Sequence, residues 1–330
     1  MVVASWPGRA MRIVLSNTAS RWGATQALTE ALARGLQARG HAVAVLCRPR
    51  SALEERLRGV VPCEPVLTSP ELSPAAIWRC SRALRRHRPE VVLTLTDGDV
   101  RVAALVARIH GVPVVVCRTG VRTPRPRPHF RLLYGTLPAH HVAASESLRR
   151  AVLRSAPWLK PAEVTVLPPG VDAAAYDAAR PAALGLPEGA LAVGFVGRLE
   201  DRTGIVELGR AWPAVAAALP AAHLLVAGLG PAEGDARAVL TAEPRVHWLG
   251  FRDDVPALLK ALDLVALPAH GDGTGLVAVE ALAAGAAVVA ADAGVLAERV
   301  RDGVDGVLVP ARDPAALARA LVALGHDPAR

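Results

Sequence analysis

Short apolar runs alternate along the whole chain with segments in which apolar residues recur at helical spacing. Continuous apolar runs are typical of parallel strands that are covered by helices on both faces. The pattern therefore predicts an α/β fold built on mostly parallel sheets. The predicted strands lie near residues 11–16, 42–47, 90–95, 112–117, 140–143 and 163–167 in the first half, and near 191–196, 222–227, 245–248, 263–267, 287–290 and 306–309 in the second.

Helices are predicted in most of the segments between these strands. The first runs from about Ala24 to Arg39 and ends at Gly40, because glycine readily adopts the left-handed conformation that terminates a helix. Ser73 followed by Pro74 marks the start of another, since serine caps helices and proline suits their first turn. In the second half the predicted helices lie near residues 204–218, 231–240, 254–261, 275–284, 294–300 and 313–324.

The length of 330 residues, of which 52% are hydrophobic, favours two domains over one. Polar residues and prolines interrupt the pattern between Asp172 and Pro187, which indicates a linker there. The predicted domains are residues 1–178 and 179–330. Two facing sheets leave a crevice between them, and we expect ligands to bind at the loops that follow the carboxyl ends of the strands.

Charge differs between the two halves of the chain. Residues 1–180 contain 26 basic and 12 acidic side chains, whereas the remaining residues contain 12 basic and 18 acidic ones. The excess of basic residues in the first half would attract an anionic partner, either nucleic acid or anionic lipid. A helix face that is simply exposed to solvent explains the pattern equally well. The arginines lie on one predicted helix and in one proline-broken loop: Arg79, Arg82, Arg85, Arg86 and Arg88, then Arg118, Arg122, Arg125 and Arg127.

The four cysteines are widely spaced and include no Cys-x-x-Cys pair, which argues against a disulfide framework and favours a reducing cytoplasm. No uninterrupted apolar run reaches the roughly 18 residues that a membrane-spanning helix needs. The expected location is therefore the cytoplasm, peripheral to the inner membrane face where the basic half meets anionic lipid.

The segment LPAHGDGTGLVAVEALAAG, residues 267–285, indicates chemistry most strongly. Gly273, Thr274 and Gly275 resemble the entrance of a helix, where unpaired backbone N–H groups and the positive end of the dipole attract phosphate. Asp272 and Glu280 place carboxylates on either side of that entrance. This arrangement fits a sugar nucleotide whose diphosphate sits at the helix and whose hydroxyls reach the carboxylates. The alternative is an ordinary amphipathic helix with a solvated Glu280.

Other loops also follow predicted strands. Arg198, in GFVGRLEDRTG, lies where a guanidinium can clamp phosphate oxygens, although an ordinary surface arginine is the alternative. Gly228 and Gly230, in VAGLGP, allow either close approach of a ligand or simply a tight turn. The loop from Ser16 to Gln26 follows the first strand and is either a ligand loop or an ordinary connection.

No metal site is predicted. Asp97 and Asp99 form an Asp-x-Asp pair without a third ligand nearby, and such pairs are common. The ten histidines show neither His-Glu-x-x-His nor Cys/His ligand spacing.

Taken in order, these motifs resemble those of the retaining glycosyltransferases of family 4, whose two facing Rossmann-like domains form the GT-B architecture. The resemblance covers almost all of residues 190–321, through GRLEDRTG, WLGFRDDVPALLKALDLVALP, GDGTGLVAVEALAAG and VVAADAGVLAERVRDGVDGVLVPARDPAALA. The Glu-x7-Glu motif of the family corresponds to Asp272 and Glu280. The first half is similar more loosely, through MRIVLSNTASRWGATQALTEALARGLQARGHAVAVL and VTVLPPGVDAAAY.

The resemblance implies that Arg198 holds the donor diphosphate, Glu280 binds the nucleotide ribose and Asp272 contacts the transferred sugar. The implied catalytic residues are Asp272, Glu280 and Arg198; the implied donor-binding residues are Arg198, Arg202, Thr203, Gly228, Gly273, Thr274, Gly275, Leu276 and Glu280; and the implied acceptor-side residues are Gly23, Ala24 and Arg118.

The chain departs from the family pattern at some of these positions. Thr203 stands where the family has a lysine beside the diphosphate, and the neighbouring Arg202 is the candidate substitute. Asp272 replaces the first glutamate of the motif, and Ala24 replaces the second glycine of the first loop. The usual histidine is not evident around Arg118.

The implied reaction is transfer of a sugar from a nucleoside diphosphate sugar to a cell-envelope or lipid-linked acceptor with retention at the anomeric carbon. Positioning and stabilisation of the leaving group supply the catalysis, so no cofactor and no obligatory metal are expected. The expected partners are the donor, a glycan or lipid-linked acceptor and an anionic membrane surface, without nucleic acid.

A relative that binds a sugar nucleotide or a partner without turnover is the main alternative, because Thr203 and Asp272 depart from the pattern. A sugar-nucleotide epimerase fits the ordered motifs less well. A nicotinamide oxidoreductase is disfavoured, since no complete Gly-x-Gly-x-x-Gly follows the first strand.

Overall fold

A computed structural model describes residues 9–19, 22–66, 73–120, 131–241, 243–271 and 273–327, which form two compact units, Met1–Pro168 and Pro169–Arg330. The strands are β1 Arg12–Asn17, β2 Ala42–Cys47, β3 Cys63–Glu64, β4 Val91–Thr94, β5 Val114–Arg118, β6 His140–Ala143, β7 Val164–Val166, β8 Leu191–Val196, β9 Ala222–Ala227, β10 Val246–Gly250, β11 Leu264–Leu267, β12 Ala287–Ala291 and β13 Gly306–Val309. The predicted α/β class with parallel sheets is confirmed.

The α-helices are α1 Ala24–Ala38, α2 Ala52–Leu57, α3 Pro74–His87, α4 Asp97–Asp99, α5 Leu105–Ile109, α6 Glu146–Ser155, α7 Ala173–Ala178, α8 Ile205–Ala218, α9 Glu233–Val239, α10 Val255–Lys260, α11 Leu276–Ala284, α12 Leu296–Arg299 and α13 Pro314–His326. A π-helical stretch, Val100–Ala104, joins α4 to α5. Within the described ranges, every helix is too short or too polar to cross a lipid bilayer.

The first unit contains a parallel sheet in the order β3-β2-β1-β4-β5-β6-β7. Central strand β1 pairs with β2 on one side and β4 on the other, so that Val14 lies between Ala44 and Val92. Successive residues of β1 point to opposite faces: Val14 and Leu15 belong to separate buried clusters, one on each face. Helices cover both faces, which explains why the strands are continuously apolar.

The second unit repeats this design in the order β10-β9-β8-β11-β12-β13. Along central strand β8, Val193 and Phe195 pack into one buried cluster, whereas Ala192 and Val196 pack into the cluster on the other face. The fully buried Trp212 of α8 anchors the first of these clusters. Each unit therefore has its own two-sided core.

The boundary between the units differs from the predicted one. The division lies after Pro168, ten residues before the predicted position after residue 178. The reason is helix α7, which packs against the second unit: Tyr176 is only 5% exposed and shares a buried cluster with Leu258 and Ala278. The backbone N–H of Ala182 also donates to the carbonyl oxygen of Ala257 at 2.9 Å. The segment that resembled a linker is thus partly core.

Candidate functional site

The strand order of the second unit reverses direction between β8 and β11, and ligands of open α/β sheets bind at the carboxyl edge beside such a point. The loop after β8 and the loop after β11 meet there. A Cβ on Gly204 would overlap the carbonyl oxygen of Pro268, so the two loops are in close contact. The backbone N–H groups of His270 and Gly271 donate to the carbonyl oxygen of Arg202 at 3.1 and 3.2 Å.

Two guanidinium groups are held at this edge by one carboxylate. Glu200 Oε1 lies 2.8 Å from Arg198 Nη2, and Glu200 Oε2 lies 2.6 Å from Arg202 Nε. The Glu200 side chain is 19% exposed, whereas both arginine side chains are about half exposed. Glu200 therefore fixes the separation of two cations that remain accessible to an anionic ligand.

Thr203 occupies the position where the resemblance expects a lysine, and its hydroxyl is engaged by the loop itself. Thr203 Oγ1 lies 2.8 Å from the carbonyl oxygen of Arg198 and 2.6 Å from that of Glu200. The Glu200 backbone N–H donates to the same hydroxyl at 3.2 Å. The side chain thus closes the turn that carries both arginines.

Helix α11 begins beside these arginines. Its N-cap, Gly275, has φ +65°, and a Cβ there would lie 2.9 Å from Val295 Cγ2, so that glycine is needed for this helix start. The N–H of Leu276 donates to Thr274 Oγ1 at 3.2 Å, and Thr274 is buried. Amides of a first helical turn lack partners within the helix and, with the helix dipole, favour an anion.

Arg202 lies against this helix entrance. A Cβ on Gly271 would be 2.9 Å from Arg202 Cβ, and one on Gly273 would be 4.0 Å from Arg202 Nη1. The guanidinium is therefore beside the loop that leads into α11. The structure thus brings together Arg198, Arg202, Thr203 and the entrance residues Gly273–Leu276, which are among the donor-binding residues implied by the resemblance.

Glu280 lies on the second turn of α11, where it is half-buried and close to the hydroxyl of Tyr176. Burial raises the pKa of Glu280 above its ordinary value, and the nearby Tyr176 hydroxyl acts in the opposite direction. Burial, together with the adjacent Glu280 carboxylate, also raises the pKa of the Tyr176 phenol. The phenol therefore remains protonated at neutral pH.

Gly228 and Gly230 lie against the backbone of the loop after β8, which carries Arg198 and Arg202 and is called the arginine loop here. A Cβ on Gly228, at φ +145°, would overlap the carbonyl oxygen of Gly197, and one on Gly230 would overlap that of Leu199. These two carbonyls flank Arg198 in the chain. The glycines thus allow two segments of the protein's own backbone to lie close together. This agrees with the interpretation of these glycines as part of a tight turn.

The corresponding point of the first unit lies between β1 and β4, and there a side chain fills the edge. Asp99 is fully buried and accepts hydrogen bonds from the backbone N–H groups of Thr18 at 2.6 Å, Thr96 at 2.9 Å and Leu95 at 3.3 Å. Burial raises the pKa of Asp99 to about 6, although the hydrogen bonds to Thr96 and Thr18 oppose this shift. Asp99 therefore joins the ends of β1 and β4.

The predicted acceptor-side residues lie at this same edge of the first unit. Gly23 caps α1 in an extended conformation, and Ala24 is the exposed first residue of the helix. Arg118, at the end of β5, is 4% exposed, and its guanidinium carbon lies 4.4 Å from the centre of the Tyr134 ring. Thr25 Oγ1 and Thr119 Oγ1 are 3.4 Å apart, which brings the start of α1 near the end of β5.

Some predicted residues cannot be placed. Asp272 and the arginines at 122, 125 and 127 lie outside the described residues. Among the residues that are described, no cluster of three or more His, Cys, Asp or Glu side chains has an arrangement that could hold a metal ion.

Two residues of the site were missed by the sequence analysis, namely Glu200 and Tyr176. Glu200 lies between the two arginines in the sequence, which is a signal for an ion pair, but loop geometry decides which charges meet. Tyr176 had no signal of its own, because its segment resembled a linker. Both lie beside residues that had been predicted.

The chain has two parallel sheets with the strand orders given above. In the second, two arginines and the start of α11 lie where the strand order reverses, and this combination is typical of the GT-B class of fold. Solved structures agree. The chain aligns with Alr3699/HepE of Anabaena in complex with UDP-glucose at a TM-score of 0.80 and 24% identity, over 96% of this chain and 90% of that one. It aligns with WaaG, a glycosyltransferase involved in lipopolysaccharide biosynthesis, at a TM-score of 0.72 and 18% identity, with the same coverage.

Family models match both units. The model of Glycosyltransferase Family 4 matches residues 25–175, and that of Glycosyl transferases group 1 matches residues 190–327. The chain belongs to the family 4 glycosyltransferases, as the resemblance predicted.

The chain is also similar to curated relatives over part of their length. It is 40% identical to the D-inositol 3-phosphate glycosyltransferase of Mycolicibacterium gilvum, over 49% of this chain and 39% of the relative. It is 40% identical to that of Salinispora arenicola, over 51% of this chain and 43% of the relative. The alignments thus span about two fifths of these relatives.

Proposed function

We propose that the chain transfers a sugar from a nucleoside diphosphate sugar to an anionic acceptor, with retention of the anomeric configuration. The observation that carries this proposal is the convergence of Arg198, Arg202, Glu280 and the entrance of α11 at one edge of the second sheet. The helix entrance and the guanidiniums complement a diphosphate, and a carboxylate one turn further along the helix suits the hydroxyls of a ribose.

In this proposal the catalytic effect comes from stabilising the diphosphate as it leaves. Arg198 and Arg202 are fixed by Glu200 before the donor binds, so little reorganisation is needed when negative charge develops. Such preorganised cations supply this stabilisation without a cofactor or a metal. Retention of configuration is supported by the motifs that the chain shares with a retaining family.

A thermal-shift screen against UDP-, GDP- and ADP-sugars tests donor binding, because a ligand that binds only the folded state raises its apparent stability. UDP-glucose is the first donor to test, since the Anabaena structure was solved with it. We expect one sugar nucleotide to raise Tm by several degrees, and the matching nucleoside monophosphate to do so much less. If no sugar nucleotide raises Tm, the proposed site is wrong.

Replacement of Arg202 with alanine tests whether this side chain takes the place of the family's lysine. We expect kcat/KM for the donor to fall about 10- to 100-fold, because hydrogen bonds to a charged group contribute about 1.5–3 kcal/mol. Arg210→Ala is the matched control, since Arg210 is an exposed arginine of α8 in the same unit. Undiminished kcat/KM in the Arg202 variant would contradict the assignment.

The second candidate function is binding of a sugar nucleotide without turnover. It is favoured by Thr203, whose hydroxyl is engaged with backbone carbonyls where the family has a cation. Release of nucleoside diphosphate in the presence of an acceptor or of water separates the two functions. Tight donor binding with no such release would establish the binding function.

The acceptor is proposed to carry negative charge. The first half of the chain has an excess of 14 basic side chains, and the curated relatives are named for a phosphorylated inositol. A phosphorylated polyol, either free or as the head group of a cell-envelope lipid, meets both observations. Initial rates with inositol phosphate and with phosphatidylinositol as acceptors would distinguish these forms.

We further propose that helix α3 binds an anionic membrane surface. Its exposed face carries Trp78, which is 57% exposed, and the guanidinium carbon of Arg82 lies 5.2 Å from the centre of its ring. The neighbouring helix α5 ends at Ile109, which is 70% exposed. An exposed tryptophan and an exposed isoleucine near several arginines suit the boundary between lipid head groups and acyl chains. The exposed arginines of α3 are Arg79, Arg82, Arg85 and Arg86.

Vesicle sedimentation tests this surface. Vesicles that contain phosphatidylglycerol should bind the protein at low salt and release it at high salt, whereas phosphatidylcholine vesicles should not bind it. Changing Arg79 and Arg82 to serine should weaken binding about 10- to 30-fold, since each basic residue near such a surface contributes about 1 kcal/mol. The matched control changes Arg312 and Arg319, two exposed arginines of the second unit, to serine. Equal binding to charged and neutral vesicles would contradict the proposal.

A further inference from the structure

The backbone of Thr18, directly after β1, is held by charged side chains that follow two other strands of the first sheet. The N–H of Thr18 donates to Asp99 Oδ1 at 2.6 Å, and its carbonyl oxygen accepts from Arg48 Nε, also at 2.6 Å. Arg48 comes directly after β2, and Asp99 lies in α4, after β4. Because hydrogen bonds to charged groups are stronger than neutral ones, they fix this backbone relative to the ends of three strands.

Only part of the Asp99 carboxylate is used to cap its own helix. Asp99 Oδ2 accepts from the N–H groups of Leu95 and Thr96 at 3.3 and 2.9 Å, which is an ordinary use of an acidic residue at a helix start. Oδ1 instead reaches Thr18, which is 81 residues away in the sequence. Thr18 Oγ1 and Thr96 Oγ1 are also 2.6 Å apart. Because Asp99 is fully buried, a lost bond to this carboxylate leaves a buried group without its partner.

Asn17 connects the held backbone to helix α1. The side chain of Asn17 is fully buried, and its Nδ2 donates to Thr29 Oγ1 at 2.7 Å and to the carbonyl oxygen of Thr25 at 3.3 Å. Both acceptors lie in the first two turns of α1. Gly23 and Ala24, the predicted acceptor-side residues, stand at the start of the same helix. The position of this helix start therefore depends on the loop after β1.

We infer that Asp99 is a positioning residue for the acceptor, because it holds the backbone at Thr18 and thereby fixes the start of α1. This inference rests on the proposed function, in which the basic first half of the chain receives an anionic acceptor. Asp99 is buried and acts through Thr18 and Asn17, so it is not a catalytic residue.

Asp99→Asn separates the two uses of the carboxylate. An amide keeps one acceptor oxygen, which can still cap α4 through Leu95 and Thr96, but its NH2 group is a donor and would face the N–H of Thr18. Two donors cannot bond to each other. The backbone at Thr18 should therefore move, while the start of α4 is preserved.

Two measurements on the full chain test the inference. Hydrogen exchange in Asp99→Asn should be about tenfold faster for the amides of Thr18 and of the first two turns of α1. The KM for the acceptor, inositol phosphate or phosphatidylinositol, should rise about tenfold. The Kd of UDP, GDP or ADP, whichever raises the wild-type Tm most, should change less than about twofold, because the donor is proposed to bind the second unit.

Glu90→Gln is the matched control. Glu90 Oε2 accepts from the N–H of Arg12 at 3.0 Å, so this carboxylate joins the same two strands, β1 and β4, at the opposite edge of the sheet. A general loosening of this strand pair would affect both variants. We expect Glu90→Gln to keep the wild-type acceptor KM and the wild-type exchange at the start of α1.

Thr18→Val is a second variant, which removes only the hydroxyl contact with Thr96 and decides the question if Asp99→Asn does not fold. It should change the acceptor KM and the exchange in the same direction, by about threefold. Wild-type values in Asp99→Asn, or in Thr18→Val where that variant replaces it, would overturn the inference, as would an equal change in Glu90→Gln. The proposed function would remain intact. If the wild type transfers sugar to neither acceptor, the proposed acceptor is wrong, and the exchange rates alone decide whether Asp99 fixes the start of α1.

Discussion

Replacement of Glu280 with glutamine is expected to lower kcat/KM for the sugar nucleotide by about 30- to 1000-fold. Glutamine has nearly the same shape but has only one acceptor oxygen and no charge. Loss of charge-assisted hydrogen bonds to the ribose costs about 2–4 kcal/mol, which corresponds to that range. Most of the loss should appear in donor binding, because in the proposed function Glu280 binds the nucleotide rather than the reacting bond. Steady-state kinetics and the Kd of the nucleoside diphosphate measure the two contributions.

The effect must be distinguished from unfolding. Burial raises the pKa of Glu280, so ionisation of this group at neutral pH costs folding free energy, and glutamine should leave Tm unchanged or raise it. Glu188→Gln is the matched control, because Glu188 is exposed in the loop before β8, at the opposite edge of the sheet from the site. Wild-type kcat/KM in the Glu280 variant would contradict the ribose assignment.

Much of the fold could be predicted from the sequence because both sheets are buried on two faces. Each strand is then a continuous apolar run, and the predicted strands and helices of the second unit end within about two residues of the observed ones. Strand β3 was missed, since two residues, Cys63 and Glu64, are too few to produce a pattern. The domain boundary was misplaced because the contacts that bind α7 to the second unit involve residues distant in sequence, such as Leu258 and Ala278.

The candidate site was predictable to the extent that it depends on backbone geometry. Loops after parallel strands share one edge, so Arg198 and the entrance of α11 had to lie near each other. The partner that each polar side chain contacts could not be predicted in the same way. Thr203 and Glu200 have roles that depend on contacts of about 3 Å within the loop that follows β8. Composition and spacing carry no information about such distances.

Replacement of Gly228 with alanine is expected to destabilise the second unit by about 3–5 kcal/mol. The added Cβ would overlap the carbonyl oxygen of Gly197, which belongs to the backbone and cannot rotate away, and φ at Gly228 is +145°. The loop that carries Arg198 would have to move, so donor binding should weaken as well. A fall in Tm of about 10 °C, measured by calorimetry, is expected for a unit of this size.

Gly197→Ala provides the control that isolates the steric contribution. Gly197 has φ +150°, almost the same as Gly228, but a Cβ there would have no heavy atom within 4 Å apart from its chain neighbours. Both variants therefore carry a similar backbone penalty of about 1–3 kcal/mol, and only Gly228→Ala adds a collision. If the two variants lost equal stability, the contact between Gly228 and the arginine loop would not explain the requirement for glycine. A larger loss for Gly228→Ala would show that the close approach of Gly228 to the Gly197 carbonyl requires glycine.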